Sequence, residues 1–239
     1  MVVKISIITV TFNAENTLLD TILSVTSQKD VNFEYLIIDG GSQDKTVDII
    51  TQFNEAIDFW VTEKDKGIYD AMNKGIQAAK GDYILFLNAG DRFHTNSVLS
   101  EVSHYLDYHG DVIYGHTYVN KEGIGRIVKS YSLKDDWKTI PYCHQSVFIK
   151  REVLLKNLFD LNFRIAADYN QYQSLKKQNY IFKPIDNIIS IYDDAGYSSM
   201  NVKTMLAEYK KISLNNTTNF IKRLKVWLYF FLRTNLSKY

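Results

Sequence analysis

The chain has 239 residues, of which 46% are hydrophobic and 23% charged, so it can bury a core and suits one globular domain. Its 28 lysines and arginines nearly balance 27 aspartates and glutamates, and the formal net charge of +1 provides no global field that would gather nucleic acid. A single cysteine, Cys143, excludes an internal disulfide and suits a reducing compartment. We find no signal-peptide pattern and no run of about 20 uncharged apolar residues that could span a bilayer, and we expect a cytoplasmic protein.

The N-terminal part of the chain alternates between strand and helix patterns. Short, apolar, β-branched runs predict buried strands at residues 5–10, 35–38, 57–61 and 83–87. Helical periodicity predicts helices that begin near Asn13, Asp44 and Ile68. This alternation predicts right-handed crossovers and an α/β fold with a Rossmann-like, mostly parallel central sheet and helices on both faces.

The pattern changes beyond residue 110. The strands predicted there cover residues 112–119, 126–132, 146–149 and 185–192, with a turn at Gly123 and Gly125 and a helix at 169–177. No internal repeat or compositional break divides the chain. We therefore expect a single domain over residues 1–218 with two functional halves, 1–110 and 111–218.

The C-terminal tail, residues 219–239, has a different character. Its apolar face on a helix consists of Phe220, Leu224, Trp227, Leu228 and Phe231, and its basic residues include Lys222, Arg223, Lys225, Arg233 and Lys238. A basic amphipathic helix of this kind can lie on an anionic membrane surface. Alternatively, the helix packs its apolar face on the rest of the protein.

Polar clusters follow the four N-terminal strands. They occupy residues 11–13, 39–42, 63–67 and 88–91. Ligands of parallel sheets bind beyond the carboxyl ends of the strands. We therefore expect the four clusters to converge at one edge of the sheet.

These clusters contain residues suited to a nucleotide diphosphate-sugar. Asp39 ends a strand where a carboxylate can bind ribose or base, and Gly67 precedes a helix whose first N–H groups could face phosphate. Asp91, helped by Asn88, could anchor Mg²⁺ or Mn²⁺, which would act on the leaving diphosphate. Taken alone, each cluster is also typical of a polar turn or of an acidic helix start.

Further candidates lie in the second half of the chain. Asp168 could be the general base that takes the proton of an attacking hydroxyl, although an aspartate at a helix start is more often an N-cap. His144 and Gln145 could bind sugar hydroxyls or phosphate, although a lone histidine is usually structural.

In this order, the motifs closely resemble those of the family 2 glycosyltransferases. The resemblance covers roughly residues 4–195, in the segments SIITVTFNAENTL (6–18), YLIIDGGSQDKT (35–46), EKDKGIYDAMNKGIQAAKGDYILFLNAGD (63–91), CHQSVFIKREVL (143–154) and AADYNQ (166–171). It implies the GT-A fold, with a nucleotide-sugar-binding half at 1–110 and an acceptor half at 111–218. It also implies a single in-line displacement that inverts the anomeric carbon.

The resemblance also implies roles for individual residues. Asp168 would be the catalytic base, and Asp91 would hold the divalent metal, Mn²⁺ or Mg²⁺. The nucleotide-sugar would contact Thr9, Val10, Thr11, Phe12, Asp39, Asp65, Gly67, Asn73, Asn88, Ala89 and Gly90. Residues 88 and 90 carry carboxylates in many members but not here, so metal coordination depends more heavily on Asp91.

The expected substrates follow from the type of family member. The chain lacks the Gln-x-x-Arg-Trp signature and the membrane spans of processive members, which favours transfer of a single sugar. We expect a UDP-sugar donor and a glycan or polyprenyl-diphosphate-linked saccharide as acceptor, in bacterial surface polysaccharide biosynthesis. The tail could hold the protein on the inner face of the plasma membrane.

Other functions fit the sequence less well. A sugar nucleotidyltransferase would have a glycine-rich, basic phosphate loop after its first strand, which residues 10–15 lack. A non-catalytic nucleotide-sugar-binding module is favoured only by the missing carboxylates at positions 88 and 90. A dinucleotide-binding dehydrogenase fits worse still, because no Gly-x-Gly-x-x-Gly follows any strand.

Overall fold

The computed structural model describes residues 3–106, 110–121, 124–130, 133–193 and 201–236. Its strands are β1 (Ile5–Thr11), β2 (Phe33–Asp39), β3 (Phe59–Thr62), β4 (Tyr83–Phe86), β5 (Arg92–Phe93), β6 (Val112–Lys121), β7 (Ile124–Val128), β8 (Val147–Lys150) and β9 (Phe182–Asp193). Its helices are α1 (Leu18–Thr26), α2 (Thr46–Gln52), α3 (Ile68–Ala78), α4 (Val98–Ser103), α5 (Arg151–Lys156), α6 (Ala167–Lys177), α7 (Val202–Asn215) and α8 (Phe220–Leu236).

Within the described residues, the strands form one sheet in the order β3-β2-β1-β4-β8-β6-β9-β5, and β7 pairs with β6. Strands β1 to β4 are parallel, and their register places Thr11 opposite Asp39. The carboxyl ends of these strands therefore lie along one edge, as the βαβ alternation predicts. Strand β8 is antiparallel to β4 and β6, whereas β6 and β9 are parallel, so the second part of the sheet is mixed rather than mostly parallel.

The sheet carries a hydrophobic core on each face, as predicted. Ile5 and Ile7 of β1 pack with α1 and α4 on one face. Ile8 and Val10 pack with α3, α5 and α6 on the other. Because β1 is buried on both faces, its sequence is apolar almost throughout.

Helix α1 begins at Leu18 rather than near Asn13. Asn13 has a φ of +48°, its N–H donates to Ser42 Oγ at 2.8 Å, and its Oδ1 accepts the N–H of Gln43 at 2.9 Å. These bonds tie the start of this segment to the loop after β2, and a left-handed residue cannot continue a helix. The prediction of an earlier helix start was therefore wrong.

Several elements differ from the sequence prediction. Strand β5 and helices α4 and α5 were not predicted, because two to six residues are too few to show a period. Helix α7 was also missed, since its buried positions include the polar Ser213. Strand β7 lies at Ile124–Val128 rather than at 126–132, and residues 123, 131 and 132 are outside the described ranges.

The tail forms helix α8, which packs on α7 through a face that the sequence did not single out. Val226 and Phe230 are buried against Leu206 of α7. The side chains of the predicted apolar face are 42–79% exposed, and Lys210 Nζ of α7 lies 5.2 Å from the centre of the Trp227 ring; the face consists of Phe220, Leu224, Trp227, Leu228 and Phe231. The helix thus packs on the rest of the protein, as in the second alternative, but mainly through Val226 and Phe230 rather than through the predicted face. Lys238 lies outside the described residues, and no helix among those described is long and apolar enough to cross a membrane.

Candidate active site

A cavity of about 980 Å³ opens beyond the carboxyl ends of β1 and β4. Three of the four polar clusters line it, namely those at 11–13, 63–67 and 88–91, so the predicted convergence is confirmed for these loops. The fourth cluster, 39–42, lies directly behind the wall. There, Gly40 packs so closely on Asp65 that an added Cβ atom would lie 2.4 Å from Oδ2.

Most of the site residues predicted from sequence line this cavity, although they come from distant parts of the chain. They are Val10, Thr11, Phe12, Asp65, Gly67, Asn88, Ala89, Asp91, His144, Gln145 and Asp168. The candidate base, the candidate metal ligand and most of the candidate nucleotide contacts therefore surround one space.

Asp39 does not line the cavity. Its fully buried carboxylate accepts hydrogen bonds from the N–H groups of Gly41 and Ser42 and from the hydroxyls of Ser42 and Thr62, at 2.5–3.1 Å. Both of its oxygens are therefore used within the chain, and Asp39 holds the loop after β2. Its contact with a nucleoside stays a prediction.

Thr9, Asn73 and Gly90 also lie outside the cavity lining. Thr9 Oγ1 donates to a neighbouring backbone carbonyl at 2.7 Å. The Asn73 amide makes two 2.9 Å bonds, one to the carbonyl and one from the N–H of Phe159. Gly90 has a φ of +100° and donates its N–H to Thr21 Oγ1 at 2.9 Å. These bonds give the three residues structural roles, and their ligand contacts stay predictions.

Asp168 is the second residue of α6 and is partly buried at the cavity wall. Burial raises its pKa to about 6 and the Glu208 anion adds to the rise, whereas bonds from the N–H of Tyr169 and the hydroxyl of Tyr69 oppose it. The N-cap of α6 is Ala166 rather than Asp168, so the capping role does not apply. A carboxylate with this pKa is suited to accept a proton near neutral pH.

Asn88 and His144 form a pair across the cavity wall. The Nδ2 atom of Asn88 lies 2.9 Å from His144 Nε2. Burial lowers the pKa of His144 to about 4, so the ring is neutral near pH 7 and Nε2 can accept the amide hydrogen. The remaining amide atom, Asn88 Oδ1, and the hydroxyl of Thr11 are buried without a hydrogen-bond partner among the described residues. Both atoms are therefore available to polar groups of a ligand.

Asp91 and Asn88 together fit a divalent cation. Both line the cavity, and the N–H of Asp91 donates to the Asn88 carbonyl at 2.9 Å. Mn²⁺ and Mg²⁺ prefer oxygen ligands and often take only one or two carboxylates from a protein, with phosphate oxygens and water as the others. The described part of the chain contains no group of three or more His, Cys, Asp or Glu side chains that could hold a metal.

Several cavity residues were not predicted from the sequence. Tyr69 and Tyr209 lie near Asp168, and the cations Lys66, Lys129 and Arg164 also line the cavity. Tyr69 and Lys66 stand within one of the segments that carry the family resemblance, so the sequence held a signal for them. The other three lie outside those segments, and only the fold brings them to the site.

A sequence profile described as "Glycosyl transferase family 2" matches residues 6–166. The chain belongs to glycosyl transferase family 2. This family 2 chain is 34% identical over 173 residues to an uncharacterized glycosyltransferase of Mycobacterium tuberculosis strain CDC 1551, covering 69% of the chain and 65% of that protein. It is 30% identical over 171 residues to a PGL/p-HBAD biosynthesis glycosyltransferase of Mycobacterium bovis strain BCG, and the match covers 69% of this chain and 66% of that protein. The chain thus spans just under two thirds of the length of these relatives.

Solved structures share the fold of this family 2 protein. Staphylococcus aureus TarS 1-349 in complex with UDP-GlcNAc matches with a TM-score of 0.71 at 16% identity, covering 98% of this chain and 73% of that one. The mannosyltransferase PcManGT from Pyrobaculum calidifontis, in complex with GDP-Man and Mn²⁺, matches with a TM-score of 0.70 at 13% identity. This match covers 95% of this chain and 69% of that one. These likenesses confirm the GT-A fold.

Proposed function

We propose that this family 2 protein is an inverting glycosyltransferase. It would move a single sugar from a UDP-sugar to a glycan or to a polyprenyl-diphosphate-linked saccharide during surface polysaccharide biosynthesis. The observation that carries the proposal is that Asp168, with its raised pKa, lines the same cavity as Asp91 and Asn88. A base and an anchor for a diphosphate-bound cation are two requirements of this chemistry.

In the proposed reaction, the acceptor hydroxyl oxygen attacks the anomeric carbon from the side opposite the nucleotide. The bond from that carbon to the diphosphate oxygen breaks, and its electron pair leaves with the nucleoside diphosphate. Asp168 takes the proton of the hydroxyl, so each transfer protonates one carboxylate, which must release that proton before the next turnover. The donor would lie in the half formed by residues 1–110 and the acceptor in the half formed by 111–218.

The donor-side wall supports a nucleotide ligand. Phe12 is 61% exposed at the cavity and offers a ring face to a base. Gly67 has a φ of +116°, and no atom lies within 4 Å of the place where a Cβ would stand, so phosphate oxygens can approach the start of α3 closely. Asp91 and Asn88 Oδ1 would hold a Mn²⁺ or Mg²⁺ ion, which when bound offsets the charge of the leaving diphosphate.

The exposed face of α8 supports contact with an anionic membrane. Helix α8 contains four lysines and arginines and no acidic residue, and its exposed apolar side chains form the predicted face. Helix α7, on which α8 packs, lines the cavity with Met205 and Tyr209. A membrane-bound α8 would therefore bring the cavity near a lipid-linked acceptor, with the protein on the inner face of the plasma membrane.

The deciding experiment offers a panel of nucleotide-sugars with Mn²⁺, with and without saccharide acceptors, and measures release of nucleoside diphosphate. We expect release of UDP from a UDP-sugar, slow with water alone and faster with an acceptor. Donor binding without turnover for any acceptor would instead indicate a binding module. Formation of nucleoside triphosphate and sugar 1-phosphate on addition of pyrophosphate would indicate a nucleotidyltransferase.

A further inference from the structure

Glu208 of α7 holds the backbone of the segment that leads into α6. Its Oε1 accepts the N–H of Arg164 at 2.9 Å, and its Oε2 accepts the N–H groups of Ile165 and Ala166 at 3.0 and 2.9 Å. Three hydrogen bonds from consecutive N–H groups to one carboxylate are charge-assisted and stronger than neutral ones. Glu208 therefore fixes the position of this segment relative to α7.

The same segment is also held by α3. The hydroxyl of Tyr69 donates to the Ile165 carbonyl at 2.6 Å and lies 3.4 Å from Asp168 Oδ1. Asp168 follows the segment directly, two residues after Ala166. Any displacement of the segment would therefore move the carboxylate that takes the acceptor proton.

We propose that Glu208 is a positioning residue for Asp168, which it holds at the cavity through the backbone of residues 164–166. The proposal rests on the function proposed above. It assigns Glu208 no contact with substrate, because the three hydrogen bonds that Glu208 makes to the described residues all run to backbone N–H groups. A positional error of about 1 Å in a catalytic group can cost about 100-fold in rate, so such a residue can control turnover from outside the site.

Glu208 also acts on Asp168 by its charge. Among the described residues, Tyr69 and Glu208 act on the pKa of Asp168, and the Asp168 anion in turn raises the pKa values of Tyr142, Cys143 and Tyr209. Burial is the main cause that raises the pKa of Asp168, and the Glu208 anion raises it further. Removal of this negative charge should therefore lower the pKa of Asp168 and move the acidic limb of the pH–rate profile to lower pH.

Two substitutions separate position from charge. Glu208→Gln removes the charge, and it replaces one acceptor oxygen with a donor. Glu208→Asp keeps the charge but is one methylene shorter.

We expect both variants to lower kcat by about tenfold or more with a donor KM within about threefold of the original, because donor contacts lie elsewhere. Only Glu208→Gln should move the acidic limb. Glu55→Gln, at an exposed glutamate in the turn that follows α2, serves as the matched control and should change neither value.

Amide hydrogen exchange tests the proposal without any turnover. In Glu208→Gln, the amides of residues 164–166 should exchange at least about tenfold faster, while those of β1 should not change. Unchanged exchange in this segment, or wild-type kcat in both variants, would overturn the positioning role. Uniformly faster exchange throughout the protein would also overturn it, because Glu208 would then support the whole fold. Absence of turnover in the unmodified protein would instead count against the proposed function.

Discussion

The hydroxyl oxygen of Tyr69 lies 3.4 Å from Oδ1 of Asp168, so a residue of the N-terminal α3 contacts the candidate base on α6. Tyr142 and Tyr209 are also close enough for the Asp168 anion to raise their pKa values, in addition to the larger effect of burial. All three tyrosines therefore stay neutral near pH 7. They leave Asp168 in a partly apolar setting that favours its protonated form more than water does.

Asp168→Asn should lower kcat by about 10² to 10⁴, because a carboxamide cannot accept the proton of the attacking hydroxyl. Donor affinity should stay within about threefold, since the proposed donor contacts do not include Asp168. Calorimetry with UDP-sugar measures the affinity, and UDP release measures turnover. Retention of wild-type kcat would reject Asp168 as the base.

The pKa of Asp168 sets the expected pH dependence. A base must be unprotonated to act, and the pKa of Asp168 is about 6. We expect kcat to fall about tenfold per pH unit below this value and to be level above it until another group titrates. His144, whose pKa is about 4, stays neutral across this range. A kcat that does not change between about pH 5 and pH 7 would contradict a rate-limiting proton transfer to Asp168.

Asp91→Ala should lower the affinity of the proposed site for Mn²⁺ in the presence of donor, because it removes the charged ligand of that site. We expect the Mn²⁺ concentration for half-maximal binding to rise about tenfold or more. Asn88→Asp should lower it, since a second carboxylate then faces the ion. Asp48→Ala, on the exposed surface of α2, is the matched control. Identical Mn²⁺ titrations for all three variants would rule out Asp91 and Asn88 as metal ligands.

The exposed face of α8 can be tested with matched leucine substitutions. Leu224→Gln with Leu228→Gln should reduce binding to anionic vesicles by about tenfold or more, because each leucine contributes roughly 1 to 2 kcal/mol of apolar burial. Leu155→Gln with Leu158→Gln alters two leucines of similar exposure near α5 and should leave vesicle binding intact.

Activity on a soluble acceptor supplies the second readout for the α8 variants. It should be retained, since Leu224 and Leu228 are exposed and do not line the cavity. Equal vesicle binding by the α8 pair and the α5 pair would show that this face is not the membrane contact. If the α8 variant lost soluble-acceptor activity to the same extent as vesicle binding, the face would instead be needed for the fold.

Local sequence patterns were sufficient to predict the parallel strands of the N-terminal part of the chain. Apolar runs predicted β1, β2 and β4 to within two residues at each end, and the polar residues after β1 and β4 were expected at one edge of the sheet. Strand burial and βα alternation are properties of neighbouring residues, and the right-handed crossover rule converts them into a three-dimensional arrangement. The family motifs then led to Asp91 and Asp168, which the fold brings to one cavity.

Only the tertiary structure decided how individual polar groups and helix faces are used. The Asn73 amide is bound to Phe159, 86 residues away, and Glu208 reaches back 42 to 44 residues to hold the segment before Asp168. Helix α8 packs through Val226 and Phe230, leaving the wider apolar face exposed. A hydrogen bond or a packed face depends on which residue, distant in the sequence, comes within contact distance. Neither composition nor periodicity predicts which residue that is.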